Sequence, residues 1–386
     1  MKNRSWLATI LVLALVGAGP IRASDESDSG SPISTVAKAE KPKVQIALLL
    51  DTSGSMDGLI SQAKSQLWKM VNEFIGAKRG GVSTEVQVGL YEYGKDSLLA
   101  DEGYLRMILP LTTDLDKVSE ELFALKTNGG QEYCGRVIKA AVEGLTWSKD
   151  NADFKVIIIA GNEPFTQGSV LYSDACTAAV AKGIIVNTIH CGDFQLGVTQ
   201  KWQDGATLTG GKYMNIDQNR TAVHIEAPQD KELAKLGVEI NKTYIAFGAS
   251  GKDGLRRQLA QDENAKAASP ASLADRAAAK GSALYSNEVW DLVDACKKQS
   301  VKLDELKEEQ LPEEMRKMNA EERKTHLAAK EAERAKIQSE ISRLNTERNK
   351  FLAEEMKKRA TAGEKTLDEA LIKAVKEQCQ KKNFQF

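Results

Sequence analysis

Histidine is scarce in this sequence, and charge of neither sign is in clear excess. The 386 residues include three widely separated histidines, His190, His224 and His326, which argues against a histidine-rich zinc site. Lys and Arg total 53 against 54 Asp and Glu, whereas a general nucleic-acid binder usually has a basic excess. With eight prolines and 29 glycines, the chain is neither collagen-like nor proline-rich. It also lacks a Cys-x-x-Cys pair and a complete phosphate loop.

The one long apolar run lies in the first residues of the chain. Two basic residues precede this run, which extends from Trp6 to about Ala18. It is about 13 residues long, shorter than the ~20 residues that span a bilayer. With a small residue at Ala23, the pattern is typical of a cleavable secretory signal peptide rather than a membrane anchor. We expect a signal peptide at 1–23, export to a periplasm or to the outside, and a flexible polar tether at 24–42.

After residue 42 the hydrophobic pattern alternates between two periods. Short, almost wholly apolar runs are typical of strands buried on both faces of a sheet, and segments of helical spacing separate them. Strands are expected at 44–50, 85–93, 104–111, 154–160, 184–190 and 212–216. Helices are expected at 59–74, 115–125, 134–145, 170–182, 202–208 and 231–244. Such alternation needs crossover connections, so residues 43–247 are predicted to form a doubly wound α/β domain with a mostly parallel sheet.

The C-terminal part is helical in pattern and rich in charge. We expect a helical segment over 248–300 and a charged helical tail over 301–386. Helices are expected at 255–267, 272–281, 285–298 and 366–379. Across 313–359, Glu repeatedly precedes Lys or Arg by three or four positions, which favours a long, solvent-exposed helix. Basic residues interrupt the apolar heptad seam of this helix, which argues against a sustained coiled coil. They are Arg323, Lys330, Arg334 and Arg348.

One carboxylate and two hydroxyls follow the first buried strand, in the motif Asp51-Thr52-Ser53-Gly54-Ser55. This D-x-S-x-S loop stands where a strand ends and a helix begins. Its oxygen atoms are the hard ligands that Mg²⁺ prefers, and Mg²⁺ usually keeps several waters. Asp51, Ser53 and Ser55 are therefore candidate ligands of Mg²⁺ or Mn²⁺. The alternative is that the motif is a helix N-cap, for which Ser and Asp are common.

Five segments, in order and spacing, resemble the von Willebrand factor type A domain. They are 48–56 (LLLDTSGSM), 128–130 (NGG), 156–164 (VIIIAGNEP), 184–192 and 210–213 (GGKY). The resemblance implies a doubly wound sheet with a metal-ion-dependent adhesion site above the carboxyl ends of its strands. It also implies that the bound metal takes a carboxylate from a partner protein.

Two elements of the family's metal site are replaced in this sequence. Gln131 and Glu132 follow the glycine pair where the family usually has Thr, and Ala160-Gly161-Asn162 stands where it usually has Thr-Asp-Gly. The second carboxylate is therefore missing at Gly161. Glu132 is the favoured substitute ligand and Glu163 the second, because both lie in loops above the predicted sheet. Otherwise Glu132 begins the next helix, and the domain keeps its fold without a metal.

These features predict an exported adhesion or scaffold protein that recognises a protein partner and is not an enzyme. The residues expected to contact the partner are Asp51, Met56, Gln131 and Asn162. The alternative is a structural protein whose charged C-terminal helix makes the interaction, with the domain as a metal-free support.

Five cysteines in an exported chain make disulfide bonds an expectation. They are Cys134, Cys176, Cys191, Cys296 and Cys379. Cys296 and Cys379 lie in separate predicted helices, which a bridge between them would join. The alternative is that the thiols behave as small buried hydrophobes.

Overall fold

Residues 40–216, 225–361 and 367–386 are described by the structure, which is a computed structural model. The predicted signal peptide at 1–23, nearly all of the tether, and His224 lie outside the described residues.

Six strands form the central sheet, and three short strands form a second, antiparallel sheet. The strands are β1 (Lys43–Asp51), β2 (Lys78–Arg79), β3 (Val82–Ser83), β4 (Glu85–Tyr93), β5 (Leu105–Thr112), β6 (Phe154–Gly161), β7 (Ile185–Cys191), β8 (Tyr213–Ile216) and β9 (Phe384–Gln385). The central sheet has the order β5-β4-β1-β6-β7-β8, and its neighbours are parallel except for the antiparallel pair β4–β5. The prediction of a doubly wound, mostly parallel sheet is confirmed.

β1 places the D-x-S-x-S motif at the carboxyl edge of the sheet. Every residue of this strand after Lys43 is buried, as expected for a strand covered on both faces. β1 pairs with β4 on one side, where Asp51 lies opposite Tyr93, and with β6 on the other, where Leu50 lies opposite Ala160. The carboxyl ends of β1, β4 and β6 therefore meet around Asp51.

Helices cover both faces of the sheet and continue into the C-terminal region. They are α1 (Asp57–Asn72), α2 (Leu115–Ala124), α3 (Cys134–Gly144), α4 (Tyr172–Ala181), α5 (Phe194–Thr199), α6 (Trp202–Leu208), α7 (Asp230–Asn241), α8 (Gly251–Ala268), α9 (Pro270–Lys280), α10 (Leu292–Lys297), α11 (Glu313–Arg316), α12 (Ala320–Thr361) and α13 (Leu367–Gln380).

Successive residues of β1 point alternately into two hydrophobic cores, one on each face of the sheet. Ile46 and Leu48 pack with α1 and α2, whereas Ala47 and Leu49 pack with α3, α4 and α6.

Two predicted helices begin later in the structure, and one short helix has no predicted counterpart. The helix expected at 285–298 begins only at Leu292, because Asp291 caps α10 by accepting a hydrogen bond from the Asp294 N–H at 3.0 Å. α5 was not predicted, since six residues are too few to show a helical period. The charged helix starts at Ala320, and the short helix α11 precedes it.

The long helix α12 is exposed over most of its surface, as predicted, but its seam is docked against the rest of the chain. Ile341 and Leu344 are buried in a core with residues of α7 and α9. The basic residues on the same seam face the body of the chain as well. Arg323 donates a hydrogen bond to the Met315 carbonyl at 3.0 Å, and Lys330 donates to the Lys242 carbonyl at 3.0 Å.

Two arginines of that seam are buried in ion pairs with other helices. Arg334 donates to Asp291 at 2.6 Å, and its guanidinium lies 4.0 Å from the centre of the Tyr244 ring. Arg348 pairs with Asp230 of α7 and Asp275 of α9, each at 2.5 Å. The arginines that interrupt the coiled-coil pattern therefore help to attach α12 to its own chain, together with Ile341 and Leu344.

The C-terminal residues do not form a separate tail, contrary to the predicted division at residue 301. Val375, Cys379 and Phe384 belong to the same core as Ile46 of β1. β9 pairs with β2, and the described residues after Lys41 form one compact unit.

The five cysteines are unpaired in the structure, which corrects the expectation of disulfides. Cys379 lies in the core under the sheet, whereas Cys296, on α10, packs in a different cluster, so no bridge joins them. Cys134, Cys176 and Cys191 are buried, and burial raises the pKa of the Cys176 thiol to about 12. Four of the five behave as small buried hydrophobes.

Candidate functional site

Backbone hydrogen bonds hold the D-x-S-x-S loop at the end of β1. The Thr52 N–H donates to the Tyr93 carbonyl at 2.8 Å, and the Asn128 N–H donates to the Thr52 carbonyl at 2.9 Å. Within the loop, the Ser53 N–H donates to Asp51 Oδ1 at 2.7 Å. The end of β4 and the loop after α2 therefore hold the backbone at Thr52, and the Ser53 N–H orients the Asp51 carboxylate.

The motif does not cap helix α1. Met56 occupies the N-cap position and makes no side-chain hydrogen bond there. Asp51, Thr52 and Ser53 are buried at the sheet edge instead. The N-cap interpretation of the motif is therefore wrong.

Glu132 brings a second carboxyl to Asp51 from the loop before α3. Its side chain is buried beside Asp51, and its N–H donates to Gln167 Oε1 at 2.7 Å. Gly94 closes the site from the end of β4, where its φ of +85° favours glycine. A Cβ at Gly94 would lie 2.6 Å from Asp51 Oδ1 and 2.8 Å from Glu132 Cγ. α3 begins two residues later, at Cys134, so Glu132 faces the site and does not begin the helix.

Burial disfavours the charge on both carboxyls, and the Asp51 carboxylate further disfavours the charge on Glu132. Burial raises the pKa of Asp51, and burial together with the neighbouring Asp51 carboxyl raises the pKa of Glu132. A cation beside both carboxyls would stabilise their charged forms. The pair is therefore poised for a positive ligand.

Three oxygen atoms of this site are buried and have no hydrogen-bond partner: Asp51 Oδ2, Ser53 Oγ and Glu132 Oε2. Unpartnered buried oxygens are costly and call for a ligand. Two carboxylate oxygens and a hydroxyl are a donor set that fits a hard divalent cation. In the described parts of the chain, no three His, Cys, Asp or Glu side chains are grouped closely enough to hold a metal. A cation here would depend on serine hydroxyls and water as well.

Gly161 stands where the motif comparison places a missing carboxylate, and the structure leaves no room for a side chain there. A Cβ on Gly161 would lie 2.5 Å from the Tyr93 hydroxyl and 3.1 Å from Asp51 Oδ2. That hydroxyl donates to the Ala160 carbonyl at 3.0 Å. Tyr93 therefore occupies the space of an acid at residue 161, while Glu132 supplies a carboxyl from the other side.

The comparison with protein families agrees with this geometry. Residues 45–202 match the von Willebrand factor type A domain. The chain contains a von Willebrand factor type A (VWA) domain. The resemblance of the sequence segments is thus confirmed, and domains of this family commonly mediate protein–protein interactions. A search of the curated proteins gives no match.

Several solved structures are similar to the VWA domain. BatB from Bacteroides thetaiotaomicron is 19% identical, with a TM-score of 0.35, and the match covers 45% of this chain and 90% of BatB. An aerotolerance-related membrane protein from Bacteroides fragilis is 17% identical, with a TM-score of 0.32 and coverages of 45% and 92%. Proximal thread matrix protein 1 from the mussel byssus, solved with zinc in its adhesion site, is 13% identical, with a TM-score of 0.34 and coverages of 47% and 43%. At these sequence identities, the similarity concerns the fold alone.

The predicted site residues differ in their exposure to solvent. Ser55 is exposed at the mouth of the site and accepts a hydrogen bond from Asn162 Nδ2 at 3.3 Å. Gln131 is exposed beside Glu132. Met56 is fully buried in the core under α1, so its prediction as a partner contact is wrong. Asp51 is fully buried too, which excludes direct contact with a protein surface.

Glu163 lies at the periphery of the site. Its charge contributes to raising the pKa of both Asp51 and Glu132, though less than burial does. Its backbone carbonyl accepts a hydrogen bond from Trp202 Nε1 at 2.9 Å, and its side chain is half-buried. Glu132 is therefore the better placed of the two candidate acids.

Three residues of the VWA site were not predicted: Tyr93, Gly94 and Gln167. Gly94 directly follows β4, and a glycine immediately after an apolar strand is a usable signal for a close approach. Tyr93 and Gln167 act through contacts from distant parts of the chain, which a single sequence does not reveal.

Proposed function

We propose that the VWA domain binds a protein partner through a divalent cation, Mg²⁺ or Mn²⁺, at the carboxyl edge of its sheet. Asp51, Ser53 and Glu132 would hold the cation, with Ser55 at the mouth, directly or through water. The observation that carries this proposal is the set of three buried oxygens without partners. When bound, the cation would supply a Lewis-acid position for a carboxylate of the partner.

Residues around the mouth would then contact the partner directly. Gln131 and Ser55 are exposed, and Asn162 is half-buried beside Ser55. Asp51 would act only through the cation, because it is fully buried. If no metal binds, the same three mouth residues would be the polar contacts of a metal-free site.

The alternative, interaction through the charged C-terminal helix, has less support. The heptad seam of α12 already packs against α7 and α9 of its own chain. Only the solvent side of α12 would be open to a partner. VWA domains are generally interaction modules, so we propose a binding role and not catalysis.

We also propose that the protein acts outside the cytoplasm, on the strength of the signal-like pattern at 1–23. The described residues contain no helix that is both long enough and apolar enough to cross a bilayer.

Calorimetric titration with Mn²⁺ and with Mg²⁺ tests the metal. We expect the wild-type protein to release or absorb heat on binding, and Glu132→Gln to weaken binding by roughly tenfold or more, as the loss of a supporting group at a metal site does. Glu143→Gln, an exposed acid on α3, is the matched control and should bind like wild type. Glu163→Gln separates the two candidate acids, and we expect the smaller effect there.

Each result has a definite meaning. Absence of heat with both ions in the wild-type protein would contradict the metal and leave the metal-free site. Equal affinities for Glu132→Gln and Glu143→Gln would remove Glu132 from the ligand set.

A further inference from the structure

We propose that a ridge beside the Asp51 site docks an extended partner segment in which an acidic side chain neighbours a large apolar one. The ridge consists of Leu99, Tyr104, Tyr133, Arg136 and Leu171. It deepens the proposed function, on which it rests for the location of the partner, but it does not require a bound metal.

Close contacts join the segments that carry the ridge. The Tyr104 and Tyr133 rings meet edge to face, with centroids 5.8 Å apart. Gly168 lies under Tyr133, where a Cβ would be 2.8 Å from the ring. A Cβ on Gly135 would lie 3.2 Å from the Leu171 carbonyl carbon, so the loop before α4 rests on the start of α3.

The ridge is also tied to the metal-binding site. Tyr133 directly follows Glu132, and the Gly94 N–H donates to the Tyr104 carbonyl at 2.9 Å. Gly94 is the residue that packs against both Asp51 and Glu132. The ridge therefore adjoins the residues that hold Asp51 and Glu132 in place.

Large apolar side chains of the ridge are open to solvent. Leu99 is 65% exposed and Leu171 is 62% exposed, and the two tyrosines are half-buried. Clustered exposed apolar side chains mark interaction surfaces, and tyrosine is enriched at the centres of such surfaces.

The backbone of the ridge is held in a fixed shape. Tyr104 has a φ of 53°, a left-handed conformation that bulky residues rarely adopt. The Tyr104 N–H donates to the Leu99 carbonyl at 3.1 Å, and the bond from Gly94 holds the other side of the same residue. A surface fixed before binding loses little conformational freedom when the partner docks.

Arg136 determines the charge of the partner. Its side chain is exposed and lies against Gly103, where a Cβ would be 2.8 Å from Arg136 Cγ. Among the described residues no carboxylate comes within 4.0 Å of this guanidinium, although Asp101 and Glu102 lie in the neighbouring turn. An exposed, unpaired arginine on the ridge favours a partner segment that carries an acid.

A phage-displayed library of random peptides, panned on the full-length protein in EDTA, tests the ridge. We expect enriched peptides to share Asp or Glu next to Leu, Phe or Trp. A synthetic copy of an enriched peptide, labelled with a fluorophore, should bind in EDTA. Its affinity should fall about thirtyfold in Arg136→Glu and in the double variant Leu99→Ser/Leu171→Ser, as for loss of an interface hot spot.

Matched variants on α8 provide the control. Arg256→Glu and Leu259→Ser change an exposed arginine and an exposed leucine away from the sheet edge, and both should bind the peptide like wild type. No enrichment, enrichment without an acid, or peptides insensitive to the ridge variants would overturn the proposal. Because the panning excludes metal, failure of the ridge leaves the Mn²⁺ titration unaffected, and failure of the titration leaves the ridge standing.

Discussion

At the scale of single residues, the Tyr93 hydroxyl occupies the space beside Gly161, and Glu132 supplies the carboxyl that residue 161 lacks. Gly161 has no side chain, and the Tyr93 hydroxyl fills the space beside it while donating to the Ala160 carbonyl. Glu132 reaches Asp51 from the opposite loop, where Gln167 holds its backbone. An acid at residue 161 and the present position of Tyr93 exclude each other sterically, which gives a physical reason for a carboxyl at Glu132.

We therefore predict that Gly161→Ala destabilises the fold by about 1–3 kcal/mol, the usual cost of overpacking a core. Its Cβ would lie 2.5 Å from the Tyr93 hydroxyl. In the Tyr93→Phe background that oxygen is gone, so the second substitution should cost about 1 kcal/mol less than it does alone. Urea unfolding of the two single variants and the double variant measures this coupling. Strictly additive losses would show that Tyr93 does not occupy the space in question.

At the scale of secondary-structure elements, the central sheet was predictable and the attachment of α12 was not. The strands at 44–50, 85–93 and 154–160 were predicted within about a residue of their ends, because strands buried on both faces have continuous apolar sequences. The sequence correctly predicts that the seam of α12 contains both apolar and basic residues. The aspartates that pair with its arginines are 40 or more residues away in sequence, and one chain gives no signal for such pairs.

In the candidate site too, local motifs were predictable from the sequence and side-chain positions were not. Asp51 and Ser53 were found because D-x-S-x-S is a local pattern after a buried strand. Glu132 was one of two candidates, since its loop could be identified but its side-chain direction could not. Met56 was predicted to contact the partner, but it is buried. Neighbouring residues at the start of a helix can point in opposite directions, and here Ser55 faces solvent while Met56 faces the core.

The ion pairs of α12 lead to a prediction about its attachment. Arg348 is buried between Asp230 and Asp275, and burial raises the pKa of Asp275 despite this arginine. Arg348→Ala would leave both acids buried without their cation, at a cost of about 3–5 kcal/mol. Thermal unfolding should show a large loss for this variant.

Arg343 is the matched control on the same helix. It pairs with Glu340 and Glu347 in solvent, so Arg343→Ala should unfold close to the wild-type temperature, as surface pairs contribute little. Similar losses for the two variants would mean that α12 is held by its apolar residues alone.

At the scale of the whole molecule, the last residues of the chain complete the core of the first domain. Asn187 of β7 and Gln378 of α13 exchange two hydrogen bonds, at 2.9 and 2.8 Å, across 191 residues of sequence. β9 adds to β2, and the Arg79 guanidinium lies 5.3 Å from the centre of the Phe384 ring. The VWA domain and the C-terminal region therefore share one core, and we expect them to unfold together.

Two phenylalanines near the C-terminus test this shared core. Phe384 is 2% exposed and lies in the core with Ile46, whereas Phe386 is 43% exposed. Phe384→Ala should cost about 3–5 kcal/mol, the usual range for a buried phenylalanine, and Phe386→Ala should cost much less. Scanning calorimetry should show a single transition in both variants, moved down as a whole by Phe384→Ala. A separate low-temperature transition in Phe384→Ala, with the main one unmoved, would mean that the C-terminal residues unfold on their own and only cover the domain.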